Sequence, residues 1–347
     1  MCDSWETFYT RSLEHIASKK RADRQLDAEN EFTQEEVDGE VAAEKEEEAD
    51  DDDDPGTSWF SEHDAPLKVL KFLTSRKFPL SPRRQRQQQQ QAPPPPSILD
   101  LGTGNGSMLA MLRKRGGFTG EMVGVDYSAQ SVQLARELQR LKLHSAYESD
   151  DDEEESEEEE YEEEHEDVVV ASNTGSAEAI PVDEQDIRFE EWDILDPANE
   201  DALNLPPTGS TEEEKRQQEE EKQRIPWFPY RQAGFDIVLD KGTFDAVSLS
   251  DETTTDKQYN AAEKETKAGK TVQPRICHKY PRVSARLVRP GGFLVVTSCN
   301  WTEEELVRWF TATGELSVWD RVEYPRFRFG GHEGQGVCTV CFRRGSQ

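Results

Sequence analysis

Apolar and polar positions divide this chain into short ordered pieces separated by long polar runs. The first piece, Ser4 to Ile16, sets Trp5, Tyr9, Leu13 and Ile16 three or four residues apart with Phe8 beside them, which is one helical face. A helix of that length is marginal alone in water, so it needs a groove to lie in. Pro66 opens a second helix, with Leu67, Val69, Leu70 and Leu73 as its apolar positions and an end before Pro79. Ile98-Leu99-Asp100-Leu101 reads as a strand running into Gly102, Gly104 and Gly106, and Met108 to Leu112 as the helix that follows. Glu121 to Asp126 is a second strand, after which Ser128 caps a helix carrying Val132, Leu134, Ala135, Leu138 and Leu141. Ile187 to Leu195, Phe235 to Asp240 and Phe293 to Thr297 supply three more strands. Ile276 to Val288 keeps a helical period despite Pro281, and Pro290-Gly291-Gly292 stops it. Thr302 with Glu305 forms a capping box for the next helix. Trp319 to Phe329 and Val337 to Phe342 flank the turn Gly330 to Gly334 with no helix between them, which predicts an antiparallel hairpin at a sheet edge. Strand, helix, strand, helix is the pattern of a parallel sheet covered on both faces. The expected class is α/β: a doubly wound, mostly parallel seven-stranded sheet whose last strand is antiparallel.

Charge explains the polar runs. The 347 residues hold 73 acidic and 41 basic side chains, a net charge of −32. Glu29 to Asp54 has 15 acids and one lysine, and Glu148 to Asp167 has 16 acids and no lysine or arginine. These blocks contribute −14 and −16, which leaves −2 for everything else. Such runs repel themselves and are expected to stay disordered, while the folded part is nearly neutral. That balance argues against binding a phosphate backbone and favours a basic protein partner reached by electrostatic steering; solubilising inserts are the plainer reading. Five cysteines at irregular spacing fit a reducing compartment. Cys338 and Cys341 are three apart in a strand and so face opposite sides, which disfavours a metal site. The start has no apolar signal region and no run is long enough to span a bilayer, so a soluble intracellular protein is expected, with nothing demanding more than a monomer.

The glycines locate the chemistry. A dinucleotide fingerprint would need its third glycine at position 107, where Ser107 stands. The actual pattern, D-x-G-x-G-x-G from Asp100, resembles motif I of the class I S-adenosylmethionine-dependent methyltransferases, whose seven-stranded Rossmann-like sheet matches the strand count. Glycine there lets the backbone approach a ligand, and the following helix offers free N–H groups. Asp126, 24 residues after Gly102, can accept from both ribose hydroxyls of an adenosine ligand. Asp193 can accept from an adenine amino group with Trp192 beside it for ring packing, and Asp100 faces loop N–H groups or a sulfonium. These acids favour a cationic, phosphate-free ligand, S-adenosyl-L-methionine. The candidate cofactor residues are Asp100, Gly102, Thr103, Gly104, Gly106, Asp126, Tyr127, Trp192, Asp193, Asp240 and Trp59, with no metal.

Two rims complete the site. Asp240-Lys241-Gly242-Thr243-Phe244-Asp245 follows the fourth strand where open α/β sheets bind ligands, and Ser298-Cys299-Asn300-Trp301 follows the fifth. The Asn/Asp-Pro-Pro-aromatic motif of many base and amide methylases is absent, and acidic and aromatic groups suit a lysine amine. Asp240, Phe244, Asn300 and Trp301 are the candidate catalytic residues, with plain packing the alternative for both aromatics. Together, Ser4-Trp5-Glu6 with Tyr9, Trp59-Phe60 with Glu62, LDLGTGNG (99–106), GVDYS (124–128), LDKGTFDAVSLS (239–250), TSCNWTEEEL (297–306) and FRFGG (327–331) closely resemble the elongation factor 1-alpha lysine methyltransferases of the Efm4 type. The resemblance implies mono- or dimethylation of one lysine of translation elongation factor 1-alpha, a basic protein, in the cytoplasm with the nucleus also open. No membrane and no direct nucleic-acid contact are expected. The expected layout is a lid helix over 1–28, an acidic insert over 29–57, and a methyltransferase domain over 58–347 with polar, low-complexity inserts at 82–96, 144–186, 206–226 and 251–275, which the resemblance skips. Transfer to RNA, a small molecule or another protein on the same fold, and a non-catalytic acidic adaptor for basic proteins, are the competing readings.

Overall fold

The computed structural model describes residues 6–18, 63–87, 93–147, 187–205, 223–253, 274–329 and 332–346. Trp5, Trp59-Phe60 and both acidic blocks lie outside the described residues. In chain order the elements are α1 (6–18), α2 (Ala65–Thr74), α3 (Pro82–Gln87), β1 (Ile98–Leu101), α4 (Ser107–Lys114), β2 (Met122–Asp126), α5 (Ala129–Leu141) and β3 (Arg188–Glu191). Then come α6 (Pro197–Ala202), β4 (Phe235–Lys241), α7 (Thr243–Ser248), α8 (Tyr280–Leu287), β5 (Val288–Ser298), α9 (Glu303–Thr311), β6 (Leu316–Val322), β7 (Arg326–Phe329), β8 (His332–Gln335) and β9 (Cys338–Arg344). Seven strands form one sheet in the order β3-β2-β1-β4-β5-β9-β6. The first five run parallel to one another, and β9 lies antiparallel between β5 and β6. The expected seven-stranded, mostly parallel sheet with its antiparallel last strand is therefore present.

Continuous apolar runs form the central strands because both faces are covered. Leu99, Leu101, Val238, Leu294 and Val296 point into one buried layer under α8 and α9. Their alternates Ile98, Ile237, Leu239, Phe293 and Val295 point into the other, with α2, α4 and α5. The two-residue period also separates the C-terminal cysteines. Cys338 packs in the first layer and Cys341 in the second, and all the described cysteines are free. Burial pushes the Cys338 thiol up to about 12, so it stays protonated. Among the described residues no group of histidines, cysteines and acids could hold a metal, and no helix is long and apolar enough to cross a membrane.

Several expectations need correction. The third strand ends at Glu191 rather than Leu195, since Asp193 turns the chain by accepting the Leu195 N–H at 2.8 Å. Pro290-Gly291-Gly292 lies inside β5 instead of stopping a helix. Gly291 takes φ 78°, and the ladder to β4 shifts register nearby. Leu67 is exposed on α2, while Val69, Leu70 and Leu73 are buried. The inserts are shorter than composition suggested. Pro82–Gln87 is helical, Ala146 and Tyr147 are buried, and Ile225 joins the core with Trp227 and Phe228. The last insert closes on a bridge between Thr253 and Arg275. The tip between β6 and β9 carries its own two-stranded ribbon, β7 with β8.

Candidate active site

Strand order reverses between β1 and β4, and the crevice at their carboxyl ends is where ligands settle in such sheets. The loop after β1 enters it through glycines at φ 61°, 59° and 78°. At Gly102 a Cβ would sit 2.2 Å from Thr243 Oγ1, and that hydroxyl donates to the Leu101 carbonyl at 2.6 Å. At Gly106 a Cβ would strike the Phe189 ring at 2.6 Å. The loop from β1 and the helix from β4 thus touch where only glycine fits. Thr103 is pinned twice: its N–H donates to the Val125 carbonyl at 3.0 Å and its hydroxyl to Asp100 Oδ2 at 2.9 Å.

Asp126 ends β2 beside this loop, 5 % exposed. Its Oδ2 accepts the Gly104 N–H at 3.1 Å and the Ser131 hydroxyl at 2.8 Å, and its Oδ1 accepts the Ser128 N–H at 3.0 Å. Helix α1 reaches the same place. Ile16 is buried and Tyr9 and Leu13 pack against the second core layer. The Tyr9 hydroxyl hydrogen-bonds with Ser131, and a Cβ on Gly104 would lie 3.4 Å from it. Burial, then the Asp126 charge, raises the phenol above its ordinary range. Across the crevice Tyr127 is 40 % exposed, Asp193 is exposed, and Trp192 packs edge-on to Trp227 at 5.4 Å. The buried Trp192 Nε1 has no acceptor.

Beyond β4, Asp240 is buried and caps α7 by accepting the Thr243 N–H at 2.9 Å and the Phe244 N–H at 3.2 Å. Phe244 lies beneath the surface, 1 % exposed, stacked under Trp301 at 5.7 Å and 26°. Of the two readings given for Phe244, its burial under Trp301 fits packing, a floor beneath the indole. Trp301 is half-buried and Asn300 exposed, both on the loop after β5, and Trp309 meets the Trp301 ring edge-on at 5.6 Å. The crevice therefore joins an acid-lined glycine cradle to an aromatic rim. Trp59 lies outside the described residues.

Residues 96–187 match a family model described as a methyltransferase domain. The chain is 28 % identical over 303 residues to "Protein-lysine N-methyltransferase EFM4" of Saccharomyces cerevisiae, spanning 87 % of this chain and 89 % of that one. It is 26 % identical over 291 residues to "EEF1A lysine methyltransferase 2" of Homo sapiens, spanning 84 % and 77 %. The protein of that name in Danio rerio is 33 % identical over 111 residues, spanning 32 % and 39 %. Over most of its length the chain is thus similar to protein-lysine methyltransferases of the Efm4 type.

Two carboxyls of this site stand out electrostatically. Burial raises Asp100 to about 6, against the opposing pull of Lys241 and of the Thr103 hydroxyl. Burial raises Asp240 to about 7, resisted by the nearby Tyr280 hydroxyl and the α7 N–H groups. Tyr280 itself is buried without an aligned hydrogen-bond partner. Lys241 is lowered by burial and pulled back up by Asp100 and Asp240. A cationic ligand beside these carboxyls would favour their ionised forms. Sequence reasoning did not single out Tyr9, Ser131 or Thr243 for this crevice. The apolar face of α1 and the motif with Ser4-Trp5-Glu6 pointed to Tyr9, Thr243 stood within the rim run after the fourth strand, and nothing local marked the Ser131 hydroxyl.

Proposed function

We propose that this chain transfers a methyl group from S-adenosyl-L-methionine to a lysine of translation elongation factor 1-alpha, in the cytoplasm. The observation that carries the reading is the meeting, at one switch point, of a glycine cradle lined by acids and an aromatic rim. The relatives' names supply the substrate. Asp126 and the Gly102–Gly106 backbone would hold the ribose and methionine portions, with Tyr127, Trp192 and Asp193 around the base. The unpartnered Trp192 Nε1 and the raised Asp100 and Asp240 carboxyls both fit an adenosyl sulfonium. When bound, that cofactor supplies an electrophilic methyl. Helix α1 would close over the cradle through Tyr9 as the lid.

The protein's remaining task is the amine. Free lysine has a pKa of about 10.4, and reaching its neutral form at pH 7 costs about 4–5 kcal/mol. An apolar rim raises the cost of the charged form, which moves that equilibrium in the required direction. Trp301 and Trp309 provide the rim, Phe244 supports it, and Asn300 at the edge can orient the incoming chain. Asp240, raised to about 7, is matched to take up the proton. Positioning and desolvation do the rest.

The test is transfer of labelled methyl from S-adenosylmethionine to purified elongation factor 1-alpha, followed by peptide mass spectrometry. Wild-type chain should label one lysine, and Asp126→Ala should abolish the signal. Label confined to RNA or small molecules, or no label from a protein that binds the cofactor, would overturn the substrate assignment.

A further inference from the structure

The rim loop 298–301 is held from below by a carboxylate that the proposed chemistry does not use. Asp245, in the first turn of α7, is wholly buried, as is Ser298. Asp245 Oδ1 accepts the Ser298 hydroxyl at 2.5 Å, and its Oδ2 accepts the Cys299 N–H at 2.8 Å. The Ser298 oxygen then accepts two N–H groups, from Asn300 at 3.2 Å and Trp301 at 3.0 Å. The indole closes the circuit. Trp301 Nε1 donates to Ser248 Oγ at 3.2 Å, and Ser248 Oγ donates to the Asp245 carbonyl at 2.8 Å. On the far side Cys338 Sγ donates to the Trp301 carbonyl at 3.2 Å. Both ends of Trp301, backbone and ring, are therefore referred to one residue on a different strand's rim.

The chemistry explains why an acid stands there. Burying a carboxylate is costly unless its oxygens are matched by donors. An amide of the same shape has a single acceptor oxygen, so asparagine could satisfy Ser298 or Cys299 but not both. Serine is equally specific at 298, where one hydroxyl must donate once and accept twice. The hydrogen bonds of both side chains run to the loop after β5, not to the glycine loop after β1.

We infer that Asp245, acting with Ser298, is a positioning residue that fixes the Trp301 indole as the wall for the substrate side chain. This rests on the proposed lysine transfer, in which Trp301 forms the rim. Asp245 sets how the acceptor is held.

Asp245→Asn and Ser298→Ala are compared with wild type in three measurements. Steady-state methyl transfer should show KM for the protein substrate rising about tenfold in each variant, from loss of a charge-assisted hydrogen bond. Calorimetric affinity for S-adenosylmethionine should stay within about twofold. In a Trp301→Ala background, Asp245→Asn should add less than about a further twofold, because the group it positions is already gone. A third readout needs no activity: the Trp301 indole N–H resonance, identified by its loss in Trp301→Phe, should shift and exchange faster in Asp245→Asn. Parallel loss of cofactor affinity, full additivity with Trp301→Ala, or an unmoved indole resonance would each overturn the inference. Absence of methyl transfer by wild type would instead sink the proposed substrate, with the indole and calorimetric measurements still judging Asp245.

Discussion

The contact between Gly102 and Thr243 offers a sharp test of how the crevice is built. Gly102→Ala imposes two separate costs. An L-residue at φ 61° is disfavoured by about 1–2 kcal/mol. The new Cβ also lies 2.2 Å from Thr243 Oγ1, so the threonine must rotate and release the Leu101 carbonyl it holds at 2.6 Å. Leaving that bond unmade costs about 1–2 kcal/mol more. The sum, about 2–4 kcal/mol, should appear as a lower urea midpoint with an unchanged slope. Thr243→Ala alone should cost about 1 kcal/mol or slightly more. In the double variant the threonine contributes nothing further, because its bond is already broken, so the two changes should fall short of additivity by about 1 kcal/mol. Tryptophan fluorescence during urea titration of the full chain measures all four corners of the cycle. If Gly102→Ala is as stable as wild type, or the effects simply add, the close approach does not govern the loop.

Other outcomes follow from the same geometry. Asp100 and Asp240, raised to about 6 and about 7, become neutral as pH falls through those values and lose their pull on a cation. S-adenosylmethionine affinity should therefore drop between pH 7.5 and 5.5, while S-adenosylhomocysteine, which lacks the sulfonium charge, changes little; parallel curves for the two ligands would contradict this. Tyr9→Phe removes the hydroxyl that meets Ser131 above Gly104 and should weaken cofactor binding several-fold in calorimetry, with the urea midpoint nearly unmoved. Thr302→Ala breaks the capping box in which Thr302 Oγ1 accepts the Glu305 N–H at 3.3 Å and the Glu305 carboxylate accepts the Thr302 N–H at 3.0 Å. The expected loss is about 1 kcal/mol of stability, read from the urea midpoint, with no change in cofactor affinity.

What could be read from the chain alone was whatever local pattern dictates. Runs such as Ile98 to Leu101 and Phe293 to Thr297 must be buried on both faces, and glycines at alternate positions after a strand make a tight loop. Those two facts were enough for the sheet, the loop and the neighbouring Asp126. The alternation that sends Cys338 and Cys341 to opposite layers was legible for the same reason. Boundaries set by long-range contacts were not. Ile225 and Tyr147 sit in polar sequence, and only the surfaces they cover make them core. Pro290-Gly291-Gly292 has the composition of a helix stop, yet pairing of β5 with β4 and β9 carries it within a strand.

The site divides along the same line. Residue type and spacing named the acids and aromatics of the two rims, because a sulfonium and an amine each call for particular chemistry. Their division of labour came from tertiary structure. Stacking put Phe244 beneath Trp301, docking of α1 brought Tyr9 to Ser131, and the meeting of two rims gave Asp245 the loop it holds. Sequence determines which groups are on hand and which face of an element each occupies. Which of them meet across sequence separations of 22 to 142 positions, as Gly104 meets Asp126 and Thr243 meets Leu101, is decided only when the sheet closes and burial drives most polar atoms to find a partner.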